Sequence, residues 1–296
     1  MKRIFILVLA LAMIFSFAAC AGAPVPTDTE EASESQQASE IASESAAASD
    51  TAAADTSWTD IETKGSFTLG FDENFPPMGY KDDSGKHVGF DIDMATEVAS
   101  RLGLELKLQP VDWDSKVLEL NGGNIDLIWN GLSITEEYKK DILFSQPYMN
   151  NRQIVIVMAS SGIASIADLA GKTVAAQSGS SAMSAIEAQP EVKDTFGELV
   201  ESPDYVEALM ELKQGSVDAV VIDEIVGRYY ISHDDTPDAY AVLEDNFGEE
   251  QYGVGFRLGD QAFRDKIQET IDAMIADGKA AEISQKWFGE NIVIGE

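Results

Sequence analysis

Residues 125–138, IDLIWNGLSITEEY, decide the fold, because a short apolar strand there runs into a polar loop. The strand ends near Trp129, and Gly131 and Ser133 follow at once. In open parallel α/β sheets, ligands bind in the crevice outside the carboxyl ends of the strands. We therefore expect this loop to line a ligand cleft, with a helix that contains Tyr138 directly behind it.

The unit that leads into this strand occurs twice in the chain. Residues 119–126, ELNGGNID, are matched by residues 211–218, ELKQGSVD. In each copy a predicted helix ends at a glycine, and a β-branched residue and an aspartate then open a hydrophobic strand. The two copies predict two similar lobes rather than one continuous sheet. A chance match of a common pattern is the alternative.

Apolar residues elsewhere follow the spacing of strands and helices in alternation. Leu104, Leu106 and Leu108 alternate with polar residues, as in a strand. Between Phe90 and Leu102 an apolar residue recurs every four positions, as in a helix. Strands and helices in alternation predict an α/β fold with mainly parallel pairing.

The two matched strands end at residues that suit an ammonium group. Gly131 lies five positions after Asp126, and Asp223 lies five positions after Asp218. Both strand ends should therefore face one cleft, with the Gly131 carbonyl, the Ser133 hydroxyl and the Asp223 carboxylate as acceptors. Asp223 also stands where it would cap the N-terminus of the following helix, and the two roles are compatible.

Residues 177–181, QSGSS, predict an anion site. They follow the apolar stretch 173–176 and precede a predicted helix at 182–188. The free amide groups at the start of a helix bind anions. No Gly-Lys-Ser/Thr follows, which excludes a phosphate-binding P-loop, so a carboxylate is the expected anion.

The first residues predict export and a lipid anchor. Residues 1–20, MKRIFILVLALAMIFSFAAC, combine a basic start with a short apolar run, as in a signal peptide. Cys20 is the only cysteine, so no disulfide framework is possible. Residues 17–20 resemble the lipobox of bacterial lipoproteins, with Phe17 where Leu or Val is usual, and the resemblance implies lipidation of Cys20. A membrane-anchoring helix is the alternative. Residues 21–57, poor in large apolar side chains, predict a disordered linker.

The charge of the chain bears on its partners. A formal net charge of -32 argues against nucleic acid and favours solubility at a cell surface. It favours a cationic ligand only weakly. His87 and His233 fall outside the predicted cleft, and neither a metal-ligand cluster nor a catalytic triad is recognisable. We expect no metal, no cofactor and no enzymatic activity.

Six motifs follow Trp58 in a fixed order: DENFPPM (72–78), GFDIDM (89–94), VDW (111–113), GLSIT (131–135), FSQPY (144–148) and SGS (178–180). Together they resemble the solute-binding proteins of polar amino-acid ABC transporters, the extracellular solute-binding proteins of family 3. The similarity covers nearly all of the chain after Trp58.

The resemblance implies a two-lobed, periplasmic-binding-protein-like fold (type II) that closes over a ligand and presents it to a membrane permease. Lobe 1 would hold residues 58–148 and 251–296, and lobe 2 residues 152–247. The protein would be a monomer tethered through Cys20 to the outer face of the cell membrane, in the periplasm if the cell is Gram-negative.

The resemblance also assigns the walls of the cleft. Phe75 and Trp113 would sandwich the side chain of a polar amino acid, and Asp72 would contact it. The residues alone leave Phe75 and Trp113 open as ordinary core aromatics.

The two ends of that ligand would be held by separate groups. Gly131, Ser133 and Asp223 would bind its α-amino group. The backbone amides of Ser180 and Ser181 would bind its α-carboxylate.

Tyr138 departs from the family. There an Arg usually stands three positions after SIT and holds the carboxylate through two hydrogen bonds, whereas Tyr carries no charge near neutral pH. Three explanations stay open. Another cation, Arg152 or Lys116, replaces the Arg; or serine and backbone groups hold the carboxylate alone; or the ligand has no carboxylate.

The last explanation would make the cleft an aromatic cage around a cation. Its members would be Phe75, Trp113, Trp129 and Tyr138. Strand alternation allows the opposite interpretation for Trp129, which would then point into the core.

The sequence therefore predicts a lipid-tethered, non-enzymatic receptor that captures a polar amino acid for an ABC importer. An enzyme of the same fold, related to prephenate and arogenate dehydratases, is one alternative. A surface sensor or adhesin that uses the same cleft is another.

Overall fold

The computed structural model of the protein describes residues 54–295. The predicted signal peptide, Cys20 and the predicted linker as far as residue 53 lie outside the described residues. Within 54–295, no helix combines the length and the apolar character that crossing a lipid bilayer requires.

The described part contains a series of mostly short strands. In chain order they are β1 (Ser66–Phe71), β2 (Asn74–Phe75), β3 (Gly79–Lys81), β4 (His87–Val88), β5 (Glu105–Pro110), β6 (Leu127–Ile128), β7 (Ile142–Phe144), β8 (Met149–Met158), β9 (Thr173–Gln177), β10 (Glu198–Ser202), β11 (Ala219–Asp223), β12 (Tyr240–Tyr252) and β13 (Gly255–Arg257).

Helices connect most of these strands. They are α1 (Ser57–Lys64), α2 (Phe90–Leu102), α3 (Lys116–Asn121), α4 (Ser181–Glu187), α5 (Pro190–Lys193), α6 (Tyr205–Gln214), α7 (Glu224–His233), α8 (Gln261–Ala276) and α9 (Lys279–Phe288).

The strands form two five-stranded sheets, each the centre of one α/β lobe, and a small sheet of β2, β3 and β4. The first sheet has the order β5-β1-β6-β13-β7, and the part of the chain built on it is called lobe 1. The second has the order β10-β9-β11-β8-β12 and is the centre of lobe 2. The predicted α/β fold with two lobes is therefore confirmed.

The expectation of mainly parallel pairing was wrong. In lobe 1, β1 pairs in parallel with β5 and β6, and in lobe 2, β9 does so with β10 and β11. The remaining pairs in the two large sheets are antiparallel and involve β8, β12, β13 and β7. These antiparallel strands lie next to the two passages of the chain between the lobes. They are antiparallel because the chain direction reverses where it re-enters a sheet.

The repeated sequence unit has the same structural role in both lobes. Asp126 accepts a hydrogen bond from the backbone amide of Thr68 at 2.8 Å, and Asp218 accepts one from Thr173 at 2.9 Å. In both lobes the aspartate's own amide returns a bond of 2.8 Å to the same threonine's carbonyl. The aspartate thus fixes the start of the second parallel strand against the first, which explains why it occurs in both copies.

The chain passes between the lobes twice. It leaves lobe 1 between β7 and β8 and returns between β12 and β13. β8 and β12 run antiparallel to each other through this region, with Asn151 opposite Glu250 and Asn150 opposite Gln251. The two passages are therefore joined by backbone hydrogen bonds rather than separate.

The folded part begins slightly earlier than predicted. Ser57, assigned to the linker, is the first residue of α1. Its hydroxyl accepts a hydrogen bond from the amide of Phe263 at 3.0 Å, and Asp55 accepts one from the amide of Ala262. These bonds attach residues 55–57 to the start of α8.

Candidate functional site

An enclosed polar space lies between the lobes at the carboxyl ends of β6, β9 and β11. Its walls include eight of the nine predicted site residues, and Asp72 is the exception. The lining residues are Phe75, Trp113, Gly131, Leu132, Ser133, Tyr138, Gln177, Ser180, Ser181 and Asp223.

The acidic end of this space is built around Asp223, the last residue of β11. Its side chain is buried and accepts hydrogen bonds from Asn151 Nδ2 at 2.7 Å, Gln153 Nε2 at 3.0 Å and Tyr252 Oη at 2.7 Å. Tyr205 Oη donates to its other oxygen at 3.3 Å. Asp223 stands at the N-cap position of α7, but its side chain makes no capping bond. The predicted capping role was wrong because these four donors hold the carboxyl group in the cleft.

Glu250, on β12, shares the donors of Asp223. Its Oε1 accepts from Asn151 Nδ2 at 2.7 Å and from Gln153 Nε2 at 2.8 Å. Burial and the negative charge of Glu250 raise the pKa of Asp223 well above its usual range. Two carboxyl groups held this closely favour either a shared proton or a bound cation.

Glu250, Asn151 and Gln153 were not predicted as site residues from the sequence. A signal was present, because Asn151 and Gln153 are polar residues two positions apart at the start of a strand that continues with IVIV. Residues at that spacing point to the same face of a strand.

The serine side of the space joins the two lobes. Ser133 Oγ donates to Ser181 Oγ at 3.0 Å, and both side chains are buried. Ser180 caps α4, since its hydroxyl accepts from the amide of Met183, and its own amide donates to the Gln177 carbonyl at 3.2 Å. Of the two amides predicted to bind an anion, that of Ser180 is thus engaged within its own turn.

A glycine shapes the strand end opposite these serines. Gly131 has a φ of 59°, and a Cβ there would lie 2.7 Å from Phe75 Cε1. Its amide donates to Asp91 Oδ2 at 2.8 Å, and Tyr148 Oη donates to the same oxygen at 2.9 Å. Asp91 is fully buried, and burial raises its pKa to about 7. This contact holds the backbone of the loop in place.

The predicted aromatic walls are buried at the site. The rings of Phe75 and Trp113 are nearly parallel, with centroids 6.3 Å apart and planes at 14°. Trp129 is fully buried and packs against Tyr148 in the core, with centroids 6.1 Å apart. It is not a cleft residue, so the proposed four-ring cage lacks one of its members.

Tyr138 lies in a 3₁₀ turn, Tyr138–Lys140, rather than in the predicted α-helix. Its amide is held by Thr135 Oγ1, and its hydroxyl donates to the Gly179 carbonyl of lobe 2 at 2.7 Å. Lys116 Nζ donates to the Tyr138 hydroxyl at 2.9 Å. Of the two replacement cations considered from sequence, Lys116 is therefore at the site.

Arg152, the other cation considered from sequence, faces away from the site. It forms two hydrogen bonds with Glu224, of 2.5 and 2.7 Å, and its side chain is 39% exposed.

Asp72 lies beside the enclosed space rather than in its wall. It accepts a hydrogen bond from Gln177 Nε2, across the lobes, at 2.6 Å, and burial raises its pKa to about 6. It lines a neighbouring cavity of about 360 Å³ that also contains Trp113. The other acidic residues of that cavity are Glu73, Asp112, Glu119 and Asp204.

The lobes are closed on one another. The enclosed space at the site is about 10 Å³, which is roughly the room for one water, whereas small-molecule sites are typically about 300–1,000 Å³. Asn74 Nδ2 donates to Asp204 at 2.9 Å, and Tyr230 Oη donates to the Asn74 carbonyl at 2.7 Å. Ligand entry therefore requires the lobes to separate and these contacts to break.

Two α/β lobes, two joined passages between them and a closed polar cleft define a solute-binding protein that encloses its ligand. The chain belongs to the bacterial extracellular solute-binding proteins, family 3, whose family model matches residues 67–290.

Relatives of known structure or function agree with that membership. An ABC uptake transporter substrate-binding protein from Streptococcus pneumoniae, solved with bound histidine, is 40% identical; the match covers 82% of this chain and 99% of that one, with a TM-score of 0.79. The L-cystine-binding protein TcyA of Bacillus subtilis is 31% identical, over 79% of this chain and 85% of its own. The arginine-binding extracellular protein ArtP of the same organism is 29% identical, over 76% and 87%.

The closed contact at Gly179 yields a test of lobe closure. Gly179 has a φ of 64°, and a Cβ there would lie 2.6 Å from Asp114 Cα in lobe 1. Gly179→Ala should therefore hold the ligand-free lobes apart, and small-angle X-ray scattering should show a larger radius of gyration than for the wild type.

A matched control separates this effect from backbone strain. Gly215 has a φ of 77° at the end of α6, and a Cβ there would meet nothing within 4 Å. Gly215→Ala has the same left-handed strain, about 1–2 kcal/mol, without the clash. Equal scattering from the two variants would show that the lobes do not close at Gly179 in solution.

Proposed function

We propose that the protein captures a polar amino acid between its lobes and delivers it to an ABC importer. Family membership and the named ligands of its relatives support this role. The observation that carries it is the buried Asp223, paired with Glu250 and surrounded by side-chain donors, at the carboxyl end of a lobe-2 strand. A buried carboxylate pair is stable when a cation or a proton compensates its charge, and an α-ammonium group supplies that cation.

In this proposal each end of the ligand is held by groups already at the cleft. The Gly131 carbonyl, the Ser133 hydroxyl and the Asp223 carboxylate receive the ammonium group. The amides of Ser180 and Ser181 face the carboxylate, and the Ser180 amide gives up its bond to Gln177 to take part. Phe75 and Trp113, whose nearly parallel rings now have centroids 6.3 Å apart, separate to admit the ligand.

We propose that lobe closure is the motion that holds the ligand. Lobe 1 is residues 58–148 with 251–296, and lobe 2 is residues 152–247. The paired ends of β8 and β12 serve as the hinge, since Asn151 and Glu250 lie there and also contact Asp223 or its partners. Asn151 and Glu250 would therefore belong both to the ligand site and to the hinge.

The ligand's side chain is proposed to be basic or to carry an amide. Asp72 and its acidic neighbours lie beside Trp113, at the cavity into which a side chain would extend. Gln177 Oε1 is a buried acceptor without a hydrogen-bond partner among the described residues. Both features favour a side chain that donates hydrogen bonds. Relatives named for arginine, glutamine and histidine binding fit this class.

A thermal-shift screen of residues 54–296 tests the proposal. The protein is heated with each of the twenty amino acids, with L-cystine and with a set of quaternary amines. A ligand that binds only the native state raises the unfolding midpoint, and we expect a rise with a basic or amide amino acid.

Two other outcomes of the screen would contradict the proposal. A rise with quaternary amines alone would replace the amino acid by a cation without a carboxylate. Conversion of prephenate or arogenate to product by the same protein samples would favour an enzyme of the same fold.

Asp223→Asn tests the ammonium site. Losing a charged hydrogen bond costs about 1.5–3 kcal/mol, so affinity for the amino acid should fall about 10- to 100-fold by calorimetry. Stability of the free protein should not fall. Because the folded-state pKa of Asp223 is raised, its charged form is destabilising above the unfolded pKa near 4, and Asn avoids that cost.

Glu224→Gln is the control for this change. Glu224 is the next residue, pairs with Arg152 and lies outside the enclosed space. It should leave affinity unchanged. Equal affinity of wild type and Asp223→Asn would remove Asp223 from the ligand site.

We also propose that the chain is a lipoprotein of the outer face of the cell membrane. The support is the sequence of residues 1–53, in which a predicted signal peptide precedes Cys20 and a predicted polar linker follows it. Cys20→Ser should release the protein from the membrane fraction into the medium, and radiolabelled glycerol should no longer be incorporated. Retention of Cys20→Ser in the membrane would favour an anchoring helix instead.

A further inference from the structure

The side chain of Lys116 is buried, and within residues 54–295 its amino group donates only to neutral acceptors. It is 1% exposed, at the first residue of α3. Its Nζ donates to the Trp113 carbonyl at 2.9 Å, the Tyr138 hydroxyl at 2.9 Å and the Gly179 carbonyl at 2.7 Å. All three acceptors are neutral. Within residues 54–295, no carboxylate lies within ion-pair distance of Lys116.

Neutral groups compensate this charge only in part. The ammonium group lies 4.7 Å from the ring centroids of both Trp113 and Tyr138, which gives two cation–π contacts. Burial lowers the pKa of Lys116 to about 7, and the charges of Asp114 and Glu137 act in the opposite direction without reversing it. A buried ammonium group without an ion-pair partner is stabilised when an anion binds next to it.

The contacts of Lys116 place it at the ligand space. Trp113 and Tyr138 both line that space, and Gly179 precedes Ser180, which lines it from lobe 2. The Gly179 carbonyl accepts from Lys116 Nζ and from Tyr138 Oη, each at 2.7 Å. One lobe-2 oxygen thus receives two lobe-1 donors.

Separation of the lobes removes that oxygen from both donors. One N–H of Lys116 and the O–H of Tyr138 then lack an acceptor on the cleft side of lobe 1. A carboxylate offers two oxygens and a full negative charge, so it matches this pair of donors better than one carbonyl does. The opposite end of the cleft carries Asp223 and Glu250, which receive a cation. A ligand that satisfies both ends is a zwitterion.

We propose that Lys116, together with the Tyr138 hydroxyl, binds the carboxylate of the ligand, which replaces the Gly179 carbonyl as their acceptor. This assignment rests on the proposed function and identifies the positive charge of the binding site.

The test compares an amino acid with its carboxamide, which keeps the ammonium group and lacks the negative charge. L-Arginine and L-argininamide are the first pair, followed by L-histidine and L-histidinamide, each titrated calorimetrically into wild type, Lys116→Met and Lys140→Met. The wild type should prefer the acid about 10- to 100-fold. Lys116→Met should lose most of this preference by weakening the acid alone. Lys140→Met, an exposed control from the Tyr138 turn, should keep it.

Proton uptake by Lys116 on ligand binding is a second measurement. It would not depend on Lys116 if this residue only stabilised the fold. A bound carboxylate raises the pKa of Lys116, so binding at pH 8 should take up protons, and the measured enthalpy should depend on the buffer. Asp223, whose pKa is raised by burial, also exchanges protons on binding, and the difference between wild type and Lys116→Met isolates the contribution of Lys116. Affinity should fall as pH rises through the bound-state pKa.

The outcomes separate this inference from the proposed function. Equal weakening of acid and amide by Lys116→Met, or no weakening at all, would overturn the role of Lys116 while leaving amino-acid capture intact. No binding of any amino acid by the wild type would overturn both. If Lys116→Met fails to fold, Tyr138→Phe removes the second donor alone and should reduce the preference several-fold. An unchanged preference would contradict the inference.

Discussion

The buried carboxyl group of Asp223 is the constraint on which the rest of the cleft depends. A charge in that position is tolerated only with donors around it, and lobe 2 and the passages between the lobes supply them. Asn151 and Gln153 come from β8, and Tyr252 comes from the end of β12. Because β8 and β12 also join the lobes, the charge at the site and the geometry of the hinge are set by the same strands.

The two ends of the cleft carry opposite charges and belong to different lobes. Asp223 and Glu250 lie on lobe 2 and its passages, whereas Lys116 lies on lobe 1. A zwitterion between them is attracted to both lobes at once. Recognition and closure are then one event, since neither lobe alone offers both charges.

Local sequence patterns predicted much of the fold and of the site. The repeated aspartates, Asp126 and Asp218, identified the two lobes because each belongs to a helix, glycine and strand pattern that lies within eight consecutive residues. Predicted residues such as Gly131, Ser133 and Asp223 meet at the cleft because they follow strand ends, which the hydrophobic pattern locates. Their contacts with a ligand stay predictions.

The remaining features depend on contacts distant in sequence. Lys116 reaches Gly179, 63 positions away, and Glu250 shares donors with a residue on another strand. The spacing of apolar residues along the chain carries no information about such contacts. Lys116 was therefore only one of two candidate cations, and Glu250 was missed. Trp129 was undecided because two residues of strand are too few to fix which face points inward. The antiparallel pairing was mispredicted for a similar reason, since the direction of a strand in a sheet depends on where the chain re-enters that sheet.

The Gly179 carbonyl has a consequence for how strongly the protein holds its cargo. Since it satisfies the donors of lobe 1 when the lobes meet, the empty closed form competes with the ligand for the same groups. Each tenfold excess of empty closed protein over open protein raises the apparent dissociation constant about tenfold, or about 1.4 kcal/mol. Affinity is therefore adjustable at a loop of lobe 2 without altering an atom that touches the ligand. Such competition weakens capture without changing the rate at which bound ligand leaves, and it suits a cell that meets its nutrient at high concentration.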